Sequence, residues 1–260
     1  MAAKAGAKKV YAIEKNVPAA KAAVEEIKRQ KLEDKIEVIE GDSMEVELPE
    51  KVDLIVSELI GSIATQEGVE PIIKDATKRF VKADSIVAGK PGSVMIPART
   101  QTRIAPVRYI NHRVKAGAAL RGVKSRGKPE PGTLRPLRLR GKNNGLIFLA
   151  DPQVLEDFDF LSPGSTPARV DRTVTFDIPA KSANDAKDFS GFAMWTRLVI
   201  DDEHDVEVKG QKATSHWAYV VALMADEPQP LSAPSSLMLT ASIDYEARPV
   251  RYSLETEIPV

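Results

Sequence analysis

The sequence predicts an α/β unit followed by an antiparallel β unit, and three observations support this fold class. Residues 8–97 alternate short apolar runs with patterns of helical period, which is typical of βαβ units around a parallel sheet. From about residue 146 onward, apolar and polar side chains alternate instead, as in half-buried antiparallel strands. With 260 residues, 43% of them hydrophobic, the chain can fill one large domain or two ordinary ones. We predict domains at residues 1–97 and 98–260, with a basic insertion at residues 110–145.

The α/β unit is predicted to begin with a strand at residues 8–14 and a helix after it. Asn16 is a residue type that caps helix N-termini, and Pro18 suits the first helical turn. Apolar residues then recur on one face of this helix, at Ala20, Val24 and Ile27.

Two more strands are predicted at residues 35–42 and 51–58, because each is an apolar run bounded by turn residues. A second helix follows, with Ile73, Ala76 and Phe80 on its inner side. Residues 89–98 then turn into another strand, and the predicted boundary lies near Pro97.

The second half is predicted to be a barrel or a sandwich of at least six strands. Val174, Phe176 and Ile178 alternate with polar residues, as do the apolar residues of the stretch 250–258. Four further strands are predicted in the stretches LIFLA, GFAMWTRLVI, WAYVVALM and LMLTASI.

Composition excludes several classes of site. The chain has no cysteine, and its three histidines lack metal-ligand spacing, so we expect neither disulfides nor a metal. The apolar runs are far shorter than the roughly 20 residues that cross a bilayer, and no secretory signal opens the sequence. We therefore expect no membrane association and a cytoplasmic or nuclear location.

One segment, residues 113–142, is strongly basic although the whole chain has a net charge of zero. It holds ten arginines and lysines against one acid, Glu130, which gives a local charge of +9. Its glycines and prolines favour a solvated insertion. The alternative is an arm that binds RNA or an acidic partner, but no aromatic residue is interleaved to stack on bases.

Three acids end predicted strands of the α/β unit: Glu14, Asp42 and Glu58. Ligands of parallel α/β sheets bind at the carboxyl ends of the strands, where an acid commonly accepts hydrogen bonds from ribose hydroxyls. A single acid at a strand end is equally compatible with a chain emerging into water. Three such acids favour a nucleotide cofactor crevice.

Glu58 and Glu67 bracket a short loop beside that crevice. Two facing carboxylates serve as the acid and base of a glycosidase, as ligands of a divalent metal, or as a clamp on a planar cation. A guanidinium suits the clamp, because its donors form a fixed fork that carboxylates accept in bidentate pairs. The alternative for Glu67 is a favourable charge near the start of the following helix.

The stretch ATSHWAYVV places His216 and Trp217 just before a predicted strand. A lone His-Trp pair usually packs in a core. The functional alternative has the Trp217 face contacting a cation and His216 donating a hydrogen bond to a carboxylate of the glutamate loop.

These residues resemble the protein arginine N-methyltransferases. Ser57-Glu58, a loop with Gly61 and then Glu67 are similar to the double-glutamate loop of that family, in which the second glutamate comes nine positions after the first. VYAIEKN, EGDSMEVELPEKVDLIVSE, GSVMIPAR, GFAMWTRL and SHW resemble further family segments, so the likeness runs over nearly the whole chain.

The resemblance implies transfer of a methyl group from S-adenosyl-L-methionine to an arginine of a protein substrate. It implies catalytic roles for Glu58, Glu67 and His216, and substrate contacts for Ser215 and Trp217. Cofactor contacts would come from Glu14, Asp42, Ser43 and Met44. The implied fold is a Rossmann-like sheet followed by a β-barrel, and family members usually form homodimers. SELIGS resembles the symmetric-dimethylating branch and SHW the asymmetric- and mono-methylating branches, so the product type stays open.

The family carries a glycine-rich Asp-x-Gly-x-Gly-x-Gly turn about 20 residues before the ribose acid, but only thirteen residues precede Glu14. We therefore expect an N-terminally truncated, incomplete sheet that is split where the family's first strand would lie. Two alternatives to an active enzyme are a catalytically inactive binding subunit and a basic RNA-binding module.

Overall fold

The computed structural model describes most of the chain: residues 1–87, 90–91, 94–112, 136–141, 144–161, 167–180, 188–207, 217–225, 227–232, 234–247 and 250–258. Two compact units can be distinguished. The α/β unit contains Met1–Ile55 and Pro71–Val94, and the β unit contains Val56–Glu70 and Met95–Val260.

The first elements of the α/β unit follow the predicted order. They are a 3-10 helix at Ala2–Ala5, strand β1 at Val10–Glu14, helix α1 at Val17–Arg29 and strand β2 at Ile36–Glu40. β1 and β2 pair in parallel, with Val10 opposite Ile36 and Glu14 opposite Glu40. The Asn16 side chain caps α1 by accepting a hydrogen bond from the Ala19 N–H at 3.0 Å, as predicted.

The following elements are β3 at Ile55–Val56, α2 at Val69–Phe80, β4 at Ile86–Val87, β5 at Lys90–Pro91 and β6 at Met95–Ile96. The prediction of a strand over residues 51–58 was wrong in length. The backbone of Val52 bonds instead to the end of α2 and the chain after it: its N–H donates to the Phe80 carbonyl at 2.8 Å, and its carbonyl accepts from the Lys82 N–H at 3.0 Å. The described strands include the pairs β1–β2 and β3–β6, and the expected splitting of the sheet stays a prediction.

The prediction for α2 is confirmed, because Ile73, Ala76 and Phe80 are all buried. None of the three helices in the described residues has the length and apolar content needed to cross a membrane.

The described strand pairs of residues 99–258 in the β unit are antiparallel. Its strands are β7 Arg99–Tyr109, β8 Pro136–Leu139, β9 Leu146–Phe148, β10 Gln153–Asp159, β11 Arg169–Ile178, β12 Asp188–Phe189, β13 Gly191–Val199, β14 Asp205–Glu207, β15 Tyr219–Leu223, β16 Gln229–Pro230, β17 Ser235–Asp244 and β18 Arg251–Glu257. Seven of them form one sheet in the order β10-β7-β13-β15-β8, with β9 on β7 and β14 on β13. β11-β17-β18 form a second sheet, and β12 pairs with β16.

Strand β13 lies at the centre of the large sheet and is buried on both faces. Phe192 and Met194 point into one apolar cluster, and Ala193 and Trp195 into another. A strand covered on both sides needs no polar alternation, which explains the continuous apolar run in its sequence. Phe176 and Ile178 of β11 are buried, as their alternation predicted.

Candidate active site

Two of the predicted cofactor-binding acids follow neighbouring parallel strands of the α/β unit. Glu14 ends β1, and its backbone carbonyl accepts a hydrogen bond from the Gly41 N–H at 3.0 Å, just after β2. The half-buried Glu14 carboxylate accepts a hydrogen bond from the Asn16 N–H at 2.6 Å. The structure thus brings Glu14 and the Gly41-Asp42 corner together at the carboxyl edge of the β1–β2 pair.

Asp42 opens a turn that continues through Ser43 and Met44. Its carboxylate accepts a hydrogen bond from the Met44 N–H at 3.0 Å and forms an ion pair with Lys15 Nζ at 2.6 Å. The hydrogen bond from Lys15, reinforced by the Met44 N–H, holds the pKa of Asp42 below its ordinary value. Met44 is 45% exposed, so the turn presents an apolar side chain at its surface.

Arg79 of α2 fixes the same turn and was missed by the sequence analysis. Its guanidinium donates to the backbone carbonyls of Ser43 and Val46, the latter at 2.7 Å, and forms an ion pair with Asp75 at 2.6 Å. The sequence shows only an acid and an arginine four positions apart, which is common on solvent-exposed helix faces. The contact with the turn depends on tertiary structure.

The glutamate loop, residues 57–68, belongs to the β unit. Its centre is buried, with Ser62, Ala64 and Thr65 no more than 2% exposed, whereas Glu58 and Glu67 near its two ends are exposed. The loop folds back on itself, because a Cβ added at Gly61 would lie 3.1 Å from Cβ of Gln66. The two exposed carboxylates are therefore carried by a loop whose central residues are buried.

A tight turn carries Glu67. The Gly68 N–H donates to the Thr65 carbonyl at 2.9 Å, which closes the turn around Gln66 and Glu67. Gly68 has a φ of +69°, a conformation that glycine adopts without the steric penalty of a Cβ. The backbone at Glu67 is thus held from both sides.

The first half of the loop is anchored through its carbonyl groups. Trp217 Nε1 donates to the Ile60 carbonyl at 2.9 Å, and Thr196 Oγ1 donates to the Gly61 carbonyl at 2.8 Å. Trp217 is half-buried and packs beside the apolar cluster that contains Trp195. The structure thus shows Trp217 bonded to the glutamate loop, while a cation contact of its ring stays a prediction.

The middle of the loop is held by side-chain hydroxyls. Ser62 Oγ accepts hydrogen bonds from Arg138 Nη2 at 2.7 Å and from the Ala218 N–H at 3.1 Å. The Ala64 N–H donates to Thr102 Oγ1 at 3.1 Å. Arg138 comes from the basic segment, so one of its arginines contacts the glutamate loop directly.

A buried carboxylate lies under the second half of the loop. Glu156 is 1% exposed and accepts a hydrogen bond from Thr65 Oγ1 at 2.8 Å. Thr102, Tyr245 and Tyr252 also donate to this carboxylate. A β-bulge between Val154 and Glu156 interrupts the alternation of β10, so the pattern of apolar and polar residues did not predict that Glu156 points inward.

The remaining predicted residues lie outside the described part of the chain. These are Ser215 and His216, together with residues 113–135 and 142 of the basic segment. Their predicted roles stay predictions. The glutamate loop and the acids of the α/β unit are described.

Comparison with known proteins points to one family. Residues 2–88 match the family model described as PRMT5 arginine-N-methyltransferase. The predicted resemblance to protein arginine N-methyltransferases is confirmed. Protein arginine N-methyltransferase 6 of Danio rerio is 38% identical over 105 residues, which cover 40% of this chain and 28% of the relative. The chain thus matches less than a third of that relative's length.

Two solved structures share the fold over nearly the whole chain. Protein arginine methyltransferase 10 of Arabidopsis thaliana gives a TM-score of 0.74 at 20% identity and covers 98% of this chain and 80% of that chain. The Trypanosoma brucei PRMT1 enzyme–prozyme heterotetrameric complex with AdoHcy gives 0.77 at 18% identity, covering 100% of this chain and 80% of that chain. The likeness in fold therefore extends well beyond the residues matched in sequence.

Proposed function

We propose that this chain carries the acceptor-arginine site, and residues of the cofactor site, of an S-adenosyl-L-methionine-dependent protein arginine N-methyltransferase. The observation that carries the proposal is the glutamate loop. It exposes Glu58 and Glu67 while the residues between them are buried and hydrogen-bonded to the β unit. The matched family and the shared fold support the same activity.

The glutamate loop suits a guanidinium on chemical grounds. Two carboxylates accept the planar fork of guanidinium donors in bidentate pairs, a geometry that an ammonium group does not match. A loop anchored at its centre keeps the two carboxylates in a fixed spacing, so little entropy is lost when an arginine binds. Glu58 and Glu67 would hold the arginine side chain.

The residues of the α/β unit fit a nucleoside cofactor. The Glu14 carboxylate has used one acceptor position on the Asn16 N–H and retains others for ribose hydroxyl donors. The exposed Met44 side chain offers an apolar surface that suits an adenine ring, and Arg79 holds the turn between Asp42 and Val46 in place. Glu14, Asp42, Ser43 and Met44 would hold the cofactor.

S-adenosyl-L-methionine supplies an electrophilic methyl group bonded to a sulfonium. The chain's part would be to hold the guanidinium of the acceptor arginine in a fixed orientation toward the site where the cofactor would supply that methyl group. Glu58 and Glu67 stabilise the positive charge on the guanidinium during the transfer. His216 is proposed to support this arrangement from the substrate side.

We also propose that the α/β unit is the family's Rossmann-like domain and the β unit its β-barrel, with homodimers as the working assembly. The likeness to a heterotetrameric enzyme–prozyme complex supports assembly through copies of this fold. A catalytically inactive subunit that retains the arginine clamp is the second candidate. It is favoured by the anchoring of the glutamate loop, because the bonds to the Ile60 and Gly61 carbonyls come from within the β unit alone.

The experiment measures methyl transfer from labelled S-adenosyl-L-methionine to an arginine-containing peptide, with a lysine-containing peptide as the control substrate. Glu58→Gln and Glu67→Gln should each abolish transfer while leaving the fold intact, because both exposed side chains keep their size. Glu255→Gln, at an exposed position on β18, is the matched control and should retain activity. Activity retained by both loop variants would refute the clamp.

Calorimetry separates the two candidates. Binding of S-adenosyl-L-methionine with a dissociation constant in the micromolar range or below supports the enzyme, and Glu14→Gln should weaken it. Binding of an arginine peptide without any binding of the cofactor supports the inactive subunit.

A further inference from the structure

We propose that Glu156 is a positioning residue that fixes Glu67 by holding Thr65 from below. Glu156 forms a buried latch with four hydroxyl-bearing residues, Thr65, Thr102, Tyr245 and Tyr252. The proposal deepens the proposed function and rests on it, because it assigns a task to Glu67.

The latch joins four separate segments of the β unit. Thr65 lies in the glutamate loop and Thr102 in β7, Tyr245 follows β17, and Tyr252 lies in β18. The Glu156 carboxylate accepts hydrogen bonds from Thr65 at 2.8 Å, from Tyr245 at 3.0 Å, from Tyr252 at 3.0 Å and from Thr102. The Thr65 and Tyr252 hydroxyl oxygens also lie next to each other.

A carboxylate has about four lone-pair positions, and here four hydroxyl groups approach them. Burial and the neighbouring carboxylate raise the pKa of both Tyr245 and Tyr252. Burial also raises the pKa of Glu156, while the hydrogen bonds from Thr102 and Thr65 oppose that shift. Because hydrogen bonds are directional, these O–H donors define the direction from which each segment approaches the carboxylate.

Burying a carboxylate is unfavourable unless it is fully hydrogen-bonded, so such a group is a poor choice for stability alone. An apolar residue at position 156 would avoid that cost, but it would leave the four hydroxyls without their acceptor. Apolar contacts do not define direction, whereas the O–H donors of the latch do. The latch therefore specifies where the loop lies on the β unit.

Two links connect the latch to Glu67. The Thr65 side chain bonds to Glu156, and the Thr65 backbone carbonyl accepts the bond from Gly68 that closes the turn around Glu67. In addition, Thr102 bonds both to Glu156 and to the Ala64 N–H. The Glu156 carboxylate thus fixes Thr65, which opens the turn, and also fixes Ala64 through Thr102.

The test compares three variants in the full chain. Thr65→Val removes the loop's bond to the latch with little change in size, and Thr65→Ser keeps the hydroxyl. Tyr245→Phe removes another donor from the same carboxylate, but not one on the loop. The measurements are kcat and KM for an arginine peptide, the dissociation constant of S-adenosyl-L-methionine, thermal stability and amide hydrogen exchange at residues 60–68.

Thr65→Val should lower kcat/KM by on the order of tenfold to hundredfold, the range that a displacement of about 1 Å produces. Its cofactor dissociation constant should not change, and exchange at residues 64–68 should become faster. Thr65→Ser should restore most of the activity. Tyr245→Phe should lower thermal stability to a similar extent but lower kcat/KM at least several-fold less than Thr65→Val.

Equal losses of kcat/KM in Thr65→Val and Tyr245→Phe would show a merely structural cluster and overturn the proposal, as would unchanged exchange at residues 64–68 in Thr65→Val. The exchange measurement needs no activity. If the wild-type protein transfers no methyl group, the proposed function fails, and exchange alone still decides whether the latch holds the loop.

Discussion

Replacement of Trp217 by Phe tests whether this residue anchors the glutamate loop. The change removes the indole N–H that donates to the Ile60 carbonyl at 2.9 Å, and it keeps an aromatic ring. Ile60 is 2% exposed, so its carbonyl would be left in a buried position without that donor. Leaving a buried polar group unsatisfied costs about 1–3 kcal/mol. For a unit of this size, a loss of about 2 kcal/mol corresponds to a fall in Tm of roughly 4–8 °C.

Tryptophan fluorescence during urea unfolding is a suitable assay, because both tryptophans of the chain, Trp195 and Trp217, lie in the β unit. In the variant, the fully buried Trp195 still reports the transition. Ser242→Ala, which removes an exposed hydrogen bond to Asp171, is the control and should change stability by less than about 0.5 kcal/mol. A Trp217→Phe variant as stable as this control would refute the anchoring role.

Three further predictions concern other parts of the molecule. Burial and the nearby Glu207 carboxylate raise the pKa of Tyr219 from 10.0 to about 12. Because the unfolded chain loses this proton first as the pH rises, the contribution of Tyr219 to stability is complete below about pH 10 and declines up to about pH 12. Urea titrations over this range should show a smaller decline in stability for Tyr219→Phe than for the wild-type protein. Arg79→Met should raise the dissociation constant of S-adenosyl-L-methionine about tenfold by freeing the turn after Asp42, whereas Arg29→Met, at an exposed arginine of α1, should leave it unchanged in calorimetry. Asn16→Ala should destabilise α1 by about 1 kcal/mol, which thermal melts followed by far-ultraviolet circular dichroism would detect; an unchanged melt would contradict the capping role.

Local patterns in the sequence predicted the elements whose structure depends on neighbouring residues. Asn16 followed by Pro18 marks the start of α1 correctly, because helix capping needs only the first turn. The alternation that ends at Phe176 and Ile178 in β11 is equally local, since it reflects one face packed on a core. Both elements are confirmed.

The sequence was less informative where tertiary contacts decide the structure. The strand predicted at residues 51–58 is reduced to Ile55–Val56, because the Val52 backbone bonds to the chain beyond α2. Apolar content alone did not distinguish a long strand from this bridge. The pairing partners of a strand determine its length.

The candidate site shows the same division. The spacing of Glu58 and Glu67 is visible in the sequence, and so is the family likeness that gives it meaning. The residues that hold the site in place are not visible in the sequence, because they contact partners that are distant along the chain. Glu156 and Arg79 contact partners that are 91 and 33 positions away, respectively. A β-bulge and a salt-bridged helix face conceal both residues from pattern analysis.

The glutamate loop is proposed to recognise a guanidinium group. Calorimetric titration of the protein with matched peptides containing arginine or citrulline tests this proposal most directly, because citrulline keeps the shape of arginine but loses the charge and one pair of donors. The account predicts binding of the arginine peptide, at least about tenfold weaker binding of the citrulline peptide, and loss of this preference when Glu58 and Glu67 are both replaced by Gln. Equal affinity of the wild-type protein for the two peptides would contradict the account.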